Sequence, residues 1–261
     1  MTTAWETPAY ETHAFFQKRT RYCVVIVIWN EGERIINQLR RMQPRSTMAD
    51  IIIADGRSTD GSTHQDFLRE MGVRTLLITD ERGLCTATRM GLAYAIEQGY
   101  EGVITIDGNG KDGVEALPDF IKGLDDGYDL VQGSRFMKGG VHKNTPLERY
   151  VGVRYVIAPL IALGGFWYSD PTNAFRAMSM RFLKDPRVQP MRREFVRFNL
   201  QFYLIYRAAQ LGFKIKDIPV VRVYPDDASI PTKIVSLHSK YLIIRELILT
   251  VLGRYSPKET A

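Results

Sequence analysis

The first half of this chain alternates short apolar runs with helical patterns, and that alternation restricts the fold more than any other feature. YCVVIVI (Tyr22–Ile28), DIIIA (Asp50–Ala54), VRTLLI (Val73–Ile78) and GVITI (Gly102–Ile106) are short, apolar and rich in branched residues, as strands buried on both faces must be. Between the first two lies EGERIINQLRRM, with Ile35, Ile36, Leu39 and Met42 at helical spacing, and Asn30 with Glu33 predicts a capping pair at its start. Strands and helices alternating in this way predict an α/β fold, a mainly parallel sheet with helices on both faces. Ligands of such sheets bind outside the carboxyl ends of the strands. Polar clusters fall there: Asn30-Glu31 after the first run, Asp55 to Asp60 after the second and Asp107 to Asp112 after the fourth. One such cluster is readily a solvated turn; three at neighbouring strand ends predict a shared crevice.

The second half is less regular. MKGGVHKNTP (Met137–Pro146) reads as a polar loop, followed by a helix from about Leu147 to Leu163 and another over Phe195 to Leu211. A strand, KIKDIPVVRV, and a loop, YPDDASIPTK, come next. Nothing marks a second domain, so the chain divides into an N-terminal arm (1–20), one domain (21–233) and a C-terminal helix and tail (234–261). That helix, KYLIIRELILTVLGRY (Lys240–Tyr255), has Arg245 and Glu246 at its centre and lacks the roughly twenty uninterrupted apolar residues of a membrane span. Its Leu242, Leu249 and Leu252 suit core packing or contact with a second copy in a homodimer. Basic residues at both ends leave peripheral contact with a membrane surface open as well.

A net charge of +6 and a pI near 9.3 favour an acidic partner, whether a phosphorylated metabolite, an anionic membrane or nucleic acid. The basic residues are dispersed and form no nucleic-acid reading motif, which argues against the last. Cys23 and Cys85 lack CxxC spacing and the histidines lack ligand spacing, so a disulfide framework or zinc site is not expected and reducing cytoplasm is. Residues 1–20 contain no apolar segment of the kind a secretory signal needs. The turn IWNEGER lacks GxGxxG, and no GxxxxGK[ST] loop occurs, which disfavours dinucleotide oxidoreductases and P-loop enzymes. TIDGNGKDG (Thr105–Gly113) gathers Asp107, Asn109, Lys111 and Asp112 in six residues, a composition suited to an anion with or without a metal.

VIVIWNEGERI, IIIADGRSTDGS, ITIDGNGKDG, VQGSRF, SDPTNAFRAMS and LQFYLIYRAAQLGFKIKDIPV follow one another between about Tyr22 and Lys233. In that order and spacing they resemble the family 2 glycosyltransferases of the GT-A fold, most closely the dolichyl-phosphate mannose synthase-like branch. The resemblance implies a Rossmann-like domain that moves a sugar, with inversion, from a nucleotide-diphosphate sugar to a polyprenyl phosphate at the cytoplasmic membrane face. A soluble transferase with a small hydroxylated or saccharide acceptor stays open, as does a non-catalytic nucleotide-sugar-binding protein. Donor contacts are implied for Asn30, Glu31, Asp55, Arg57, Asp60, Gln201 and Lys233. Arg135, Arg149 and Arg176 fall at basic positions suited to phosphate oxygens. Mg2+ or Mn2+ is implied at Asp107 and Asn109, stabilising the departing diphosphate.

The chain departs from the pattern at informative places. Asn109 stands where the family has a second aspartate, which weakens the pull on a hard cation. Lys111 stands where the branch often has a glutamine ligand, and an ammonium cannot ligate a metal. Lys111 is therefore expected either to supply positive charge that a metal otherwise gives the diphosphate or to face solvent beside a normal metal site. Gly56-Arg57 replaces Asp-Gly, and Tyr203 replaces a glutamate while Gln201 is retained. Asp170 matches an aspartate that could act as general base toward a hydroxyl, or steady an arginine if the acceptor is an already ionised phosphate. A loop with Pro225, Asp226, Asp227, Pro231, Thr232 and Lys233 could close over the donor.

Overall fold

The computed structural model describes residues 5–225 and 237–257; Asp226, Asp227, Pro231, Thr232 and Lys233 of the expected lid lie outside them. In chain order the strands are β1 (Glu11–Ala14), β2 (Tyr22–Ile28), β3 (Asp50–Asp55), β4 (Val73–Ile78), β5 (Gly102–Asp107), β6 (Leu130–Ser134), β7 (Val141–Lys143), β8 (Arg176–Ser179), β9 (Ile215–Pro219) and β10 (Val221–Val223). The helices are α1 (Glu33–Met42), α2 (Gln65–Glu70), α3 (Leu84–Glu97), α4 (Leu117–Asp125), α5 (Leu147–Gly152), α6 (Ala158–Ala162), α7 (Met180–Leu183), α8 (Asn199–Gln210) and α9 (Leu237–Val251). A π-helical turn, Val153–Ile157, joins α5 to α6.

An eight-stranded sheet runs β1-β4-β3-β2-β5-β8-β6-β9. The pairs β2/β3, β2/β5, β3/β4 and β6/β9 are parallel, whereas β1/β4, β5/β8 and β6/β8 are antiparallel. The four apolar runs become β2 to β5, and alternation along them feeds two cores. Val24, Ile26, Ile51 and Ile53 face one side with Ile35 and Leu39 of α1, while Cys23, Val25, Ile52 and Ala54 face the other with α3 and α8. The order reverses beside β2, whose successors β3 and β5 lie on opposite flanks, so a crevice opens between the carboxyl ends of β2 and β5.

Several local expectations change. Asn30 does not cap α1: its Oδ1 accepts from the Thr59 N–H at 2.8 Å, and Gly32 occupies the cap position with its N–H on Asp60 Oδ2 at 2.7 Å. The helix expected from Phe195 begins at Asn199, because the Asn199 amide bonds Val196 N and Glu194 O and closes a turn ahead of it. KIKDIPVVRV is two strands. β9 ends at Pro219 beside β6, and the chain then crosses to pair β10 with β7, a strand inside the expected polar loop. The arm supplies β1 to the sheet edge, and α9 packs on α6 and α8 with Leu247 fully buried.

Candidate active site

A cleft of about 1060 Å³ occupies that crevice. Its floor includes Val27, Ile28 and Trp29 from the end of β2 and Asp107, Gly108 and Asn109 from the end of β5. The glycines of GNG are dictated by backbone. A Cβ on Gly108 would lie 2.3 Å from Ile28 Cγ2, and Gly110 adopts φ +74° with Arg34 close by.

On the β2–β3 side, polar groups are satisfied by neighbouring turns. Buried Asp55 accepts from the Ser58 N–H at 2.9 Å and hydroxyl at 2.6 Å. Burial pushes its carboxyl up, and the Ser58 bonds oppose this. Asp60 accepts from Gly32 N and from Ser62, and Glu31, lining the cleft, pairs with Arg34 at 2.9 Å. Arg57 turns away to Glu11 and Asp80 and does not line the cleft.

The opposite side is cationic. Lys111, Arg135, Arg149 and Arg222 all line the cleft. Arg135 and Asp170 are both buried and joined twice, Nε to Oδ2 at 2.6 Å and Nη2 to Oδ1 at 3.0 Å. Both Asp170 oxygens are therefore committed to the guanidinium. The Tyr224 hydroxyl accepts from Arg149 Nη1 at 2.8 Å and Arg135 Nη1 at 3.1 Å. Burial opposes ionisation of this phenol, but Arg222, Arg135 and Arg149 together bring it down to about 8. Burial, reinforced by Arg222, lowers the Lys111 ammonium to about 8 as well. Arg176 is buried and donates to the carbonyls of Gln201 and Asn173 outside the cleft wall, whereas the Gln201 side of α8 reaches it.

A hard divalent cation needs several oxygen ligands, preferably carboxylates. Here Asp107 Oδ2 accepts from Asn109 Nδ2 at 3.1 Å and faces Arg222 Nη2 at 3.7 Å. Asn109 Oδ1 accepts from the Lys111 N–H at 3.3 Å, which fixes the amide orientation. Among the described residues no group of three or more His, Cys, Asp and Glu is placed to hold a metal. As arranged, one oxygen of Asp107 is shared by the Asn109 amide and the Arg222 guanidinium, and the Asn109 oxygen is turned to the Lys111 backbone.

Arg222 and Tyr224 escape motif reading, although a lone arginine in the apolar alternation VVRVY was a usable signal. The cleft continues into an apolar trough lined by Val153 and Ile157, by Phe198 and Phe202, and by Leu242 and Ile243 of α9. Among the described residues no helix is long and apolar enough to cross a membrane.

No family model matches the chain. It is 28% identical over 210 residues to the undecaprenyl-phosphate mannosyltransferase of Micrococcus luteus, covering 78% of this chain and 84% of that one. It is 26% identical over 219 residues to the polyprenol monophosphomannose synthase of Mycolicibacterium smegmatis, covering 82% of each. Among solved structures, glucosyl-3-phosphoglycerate synthase from Mycobacterium tuberculosis in complex with Mn2+, UDP-glucose and phosphoglyceric acid superposes with a TM-score of 0.63 at 18% identity, over 90% of this chain and 79% of that one. The order of strands and the crevice at their carboxyl ends agree with these comparisons: the chain has the GT-A glycosyltransferase fold and is similar in sequence to the polyprenyl-phosphate mannosyltransferases of the dolichyl-phosphate mannose synthase-like branch.

Proposed function

We propose that this enzyme transfers a hexosyl group from a nucleotide-diphosphate sugar to a polyprenyl phosphate, working peripherally at the cytoplasmic face of a membrane. The observation that carries the acceptor assignment is that the acidic side chains lining the cleft among the described residues, and Asp170 behind it, are each paired with a basic side chain. Asp170 is held by Arg135, Glu31 by Arg34, Glu148 by Lys240 at 2.7 Å, and Asp107 faces Arg222. A hydroxyl acceptor needs a base to take its proton, whereas a phosphate oxygen is already anionic. In the reaction the acceptor oxygen bonds the anomeric carbon as the bond from that carbon to the diphosphate breaks, and the electron pair leaves with the nucleoside diphosphate. No proton has to move.

Arg135 and Arg149 are suited to the phosphate oxygens, with Asp170 steadying Arg135. Lys111 contributes positive charge toward the diphosphate. The names of the relatives support the lipid acceptor, and so does the apolar trough. Leu147 and Val151 of α5, Tyr155 of its π-turn and Tyr241 of α9 leave apolar side chains exposed on segments that also line the cleft and its trough, as contact with lipid requires. The test is sugar transfer from labelled UDP- and GDP-hexoses to a polyprenyl phosphate in anionic vesicles and to free saccharides. A labelled lipid product that co-sediments with the vesicles is expected. Transfer to saccharides alone would replace the lipid acceptor.

A further inference from the structure

Arg222 belongs to none of the family motifs, yet the fold builds it into the loop that carries Asp107. The Val223 N–H donates to the Lys111 carbonyl at 2.9 Å, and the Gly113 N–H donates to the Val221 carbonyl at 2.8 Å. Asp112 and Arg222 form an antiparallel bridge between these segments. Arg222 Nη1 donates to both oxygens of buried Asp112 at 2.6 Å, which leaves Nη2 facing Asp107 at 3.7 Å. The guanidinium is 6% exposed and lines the cleft, and among the described residues its Nε has no hydrogen-bond partner. Lys111 Nζ and Arg222 Cζ lie 5.2 and 5.9 Å from the centre of the same ring, that of Tyr224, and the charge of Arg222 acts on Lys111.

We propose that Arg222 and Lys111 together take the place of a divalent cation in binding the donor's diphosphate, with Asp107 holding a guanidinium rather than a metal. The inference rests on the nucleotide-sugar reading of the cleft. Its charge balance is the ordinary one for such a site. Two aspartates around a divalent ion sum to zero, and so do Asp107 and Asp112 with Lys111 and Arg222. The Asn109 substitution then has a physical role. A second carboxylate at that position would compete with the diphosphate for Arg222, whereas the amide hydrogen-bonds Asp107 and adds no charge. A guanidinium clamped by Asp112 is preorganised, keeps its proton, and offers directed donors to the oxygen that gains charge as the glycosyl bond breaks.

Calorimetric titration with UDP and GDP, each in EDTA and in manganese, tests the proposal directly on the wild-type protein. One nucleoside diphosphate is expected to bind in EDTA with an affinity within about threefold of that in manganese, because the protein already carries the charge. Arg222→Gln and Lys111→Met are each expected to weaken binding in EDTA by about tenfold or more, the loss of a charge-assisted contact. Since Arg222→Gln strands buried Asp112, the double variant Asp112→Asn/Arg222→Gln is measured beside it, and Lys111→Met leaves the Asp112–Arg222 pair in place. Wild-type binding that appears only with manganese overturns the proposal and leaves the transferase reading standing. Undiminished affinity in EDTA for folded variants also overturns it. Failure of every nucleoside diphosphate to bind under both conditions removes the transferase reading itself.

Discussion

The two walls of the cleft hold their charges in different ways. Behind the β2–β3 wall, Asp55 rests on Ser58 three residues away and Asp60 on Ser62 two residues away. These are turn contacts, in which a carboxylate accepts from nearby N–H and O–H groups. On the opposite wall, charged side chains neutralise one another across the chain, Arg135 with Asp170 over 35 residues and Arg222 with Asp112 over 110. Removing a partner from the first wall costs a hydrogen bond, whereas removing one from the second leaves a charge buried without its counterion. The largest predicted effect follows. Arg135→Ala should destabilise the protein by about 3–5 kcal/mol in urea denaturation and abolish transfer. Ser58→Ala should cost about 1 kcal/mol and leave transfer measurable. Equal losses would erase the distinction.

The same contrast explains what could be read from the sequence. β2 to β5 and α1 follow from apolar periodicity, and the strand-end clusters follow from the parallel topology those elements impose. The β2–β3 wall was legible because its residues recur as motifs whose internal contacts, Asp55 with Ser58 and Asp60 with Ser62, are short in sequence. The cationic wall was legible only at motif positions such as Arg135 and Asp170, and the partnership of those two was one of two alternatives. Arg222 and Tyr224 were not, because their role depends on β10 leaving the main sheet at Pro219 to meet β7 and the 111–113 loop. A composition-based reading cannot see that a single strand should break there. Asn109 illustrates the intermediate case. Its identity signalled a weakened metal site, but the side chain that faces Asp107 instead lies more than a hundred residues later.

Tyr224 offers a smaller effect that sharpens the comparison. An unperturbed phenol ionises near pH 10, so a folded value of about 8 means that ionisation adds stability between roughly pH 8 and 10. That increment is lost as the pH falls through about 8. For an anionic ligand the sign is reversed, because a phenolate between Arg135 and Arg149 competes with phosphate for the same donors. Nucleoside diphosphate affinity should therefore fall from pH 7 to pH 9 by on the order of threefold more in the wild type than in Tyr224→Phe. Lys111 ionises in the same range and the phenolate supports its charge, so the comparison is repeated in a Lys111→Met background, where the remaining difference isolates the phenol. Identical pH profiles would mean that the hydroxyl is not shared with the ligand site.

The smallest expected effect belongs to Arg57, the one arginine that motif position assigns to the β2–β3 wall. Its guanidinium is 44% exposed and bonds Glu11 Oε1 at 2.5 Å while also meeting Asp80. Glu11 begins β1, and β1 pairs with β4 at the sheet edge, so these contacts fasten the arm rather than face the donor. The backbone adds to this, since Arg57 adopts φ +56° in the turn after β3 and the side chain leaves on the side away from the cleft. Exposed ion pairs of this kind contribute little, so Arg57→Ala should leave nucleoside diphosphate affinity within about twofold of wild type in a calorimetric titration. A tenfold loss would mean that Arg57 exchanges Glu11 and Asp80 for the donor's phosphates once they arrive. The first wall would then bind the donor's phosphates through a cation released from its own ion pairs, and the division between turn-held acids and cross-chain charge pairs would no longer describe the cleft.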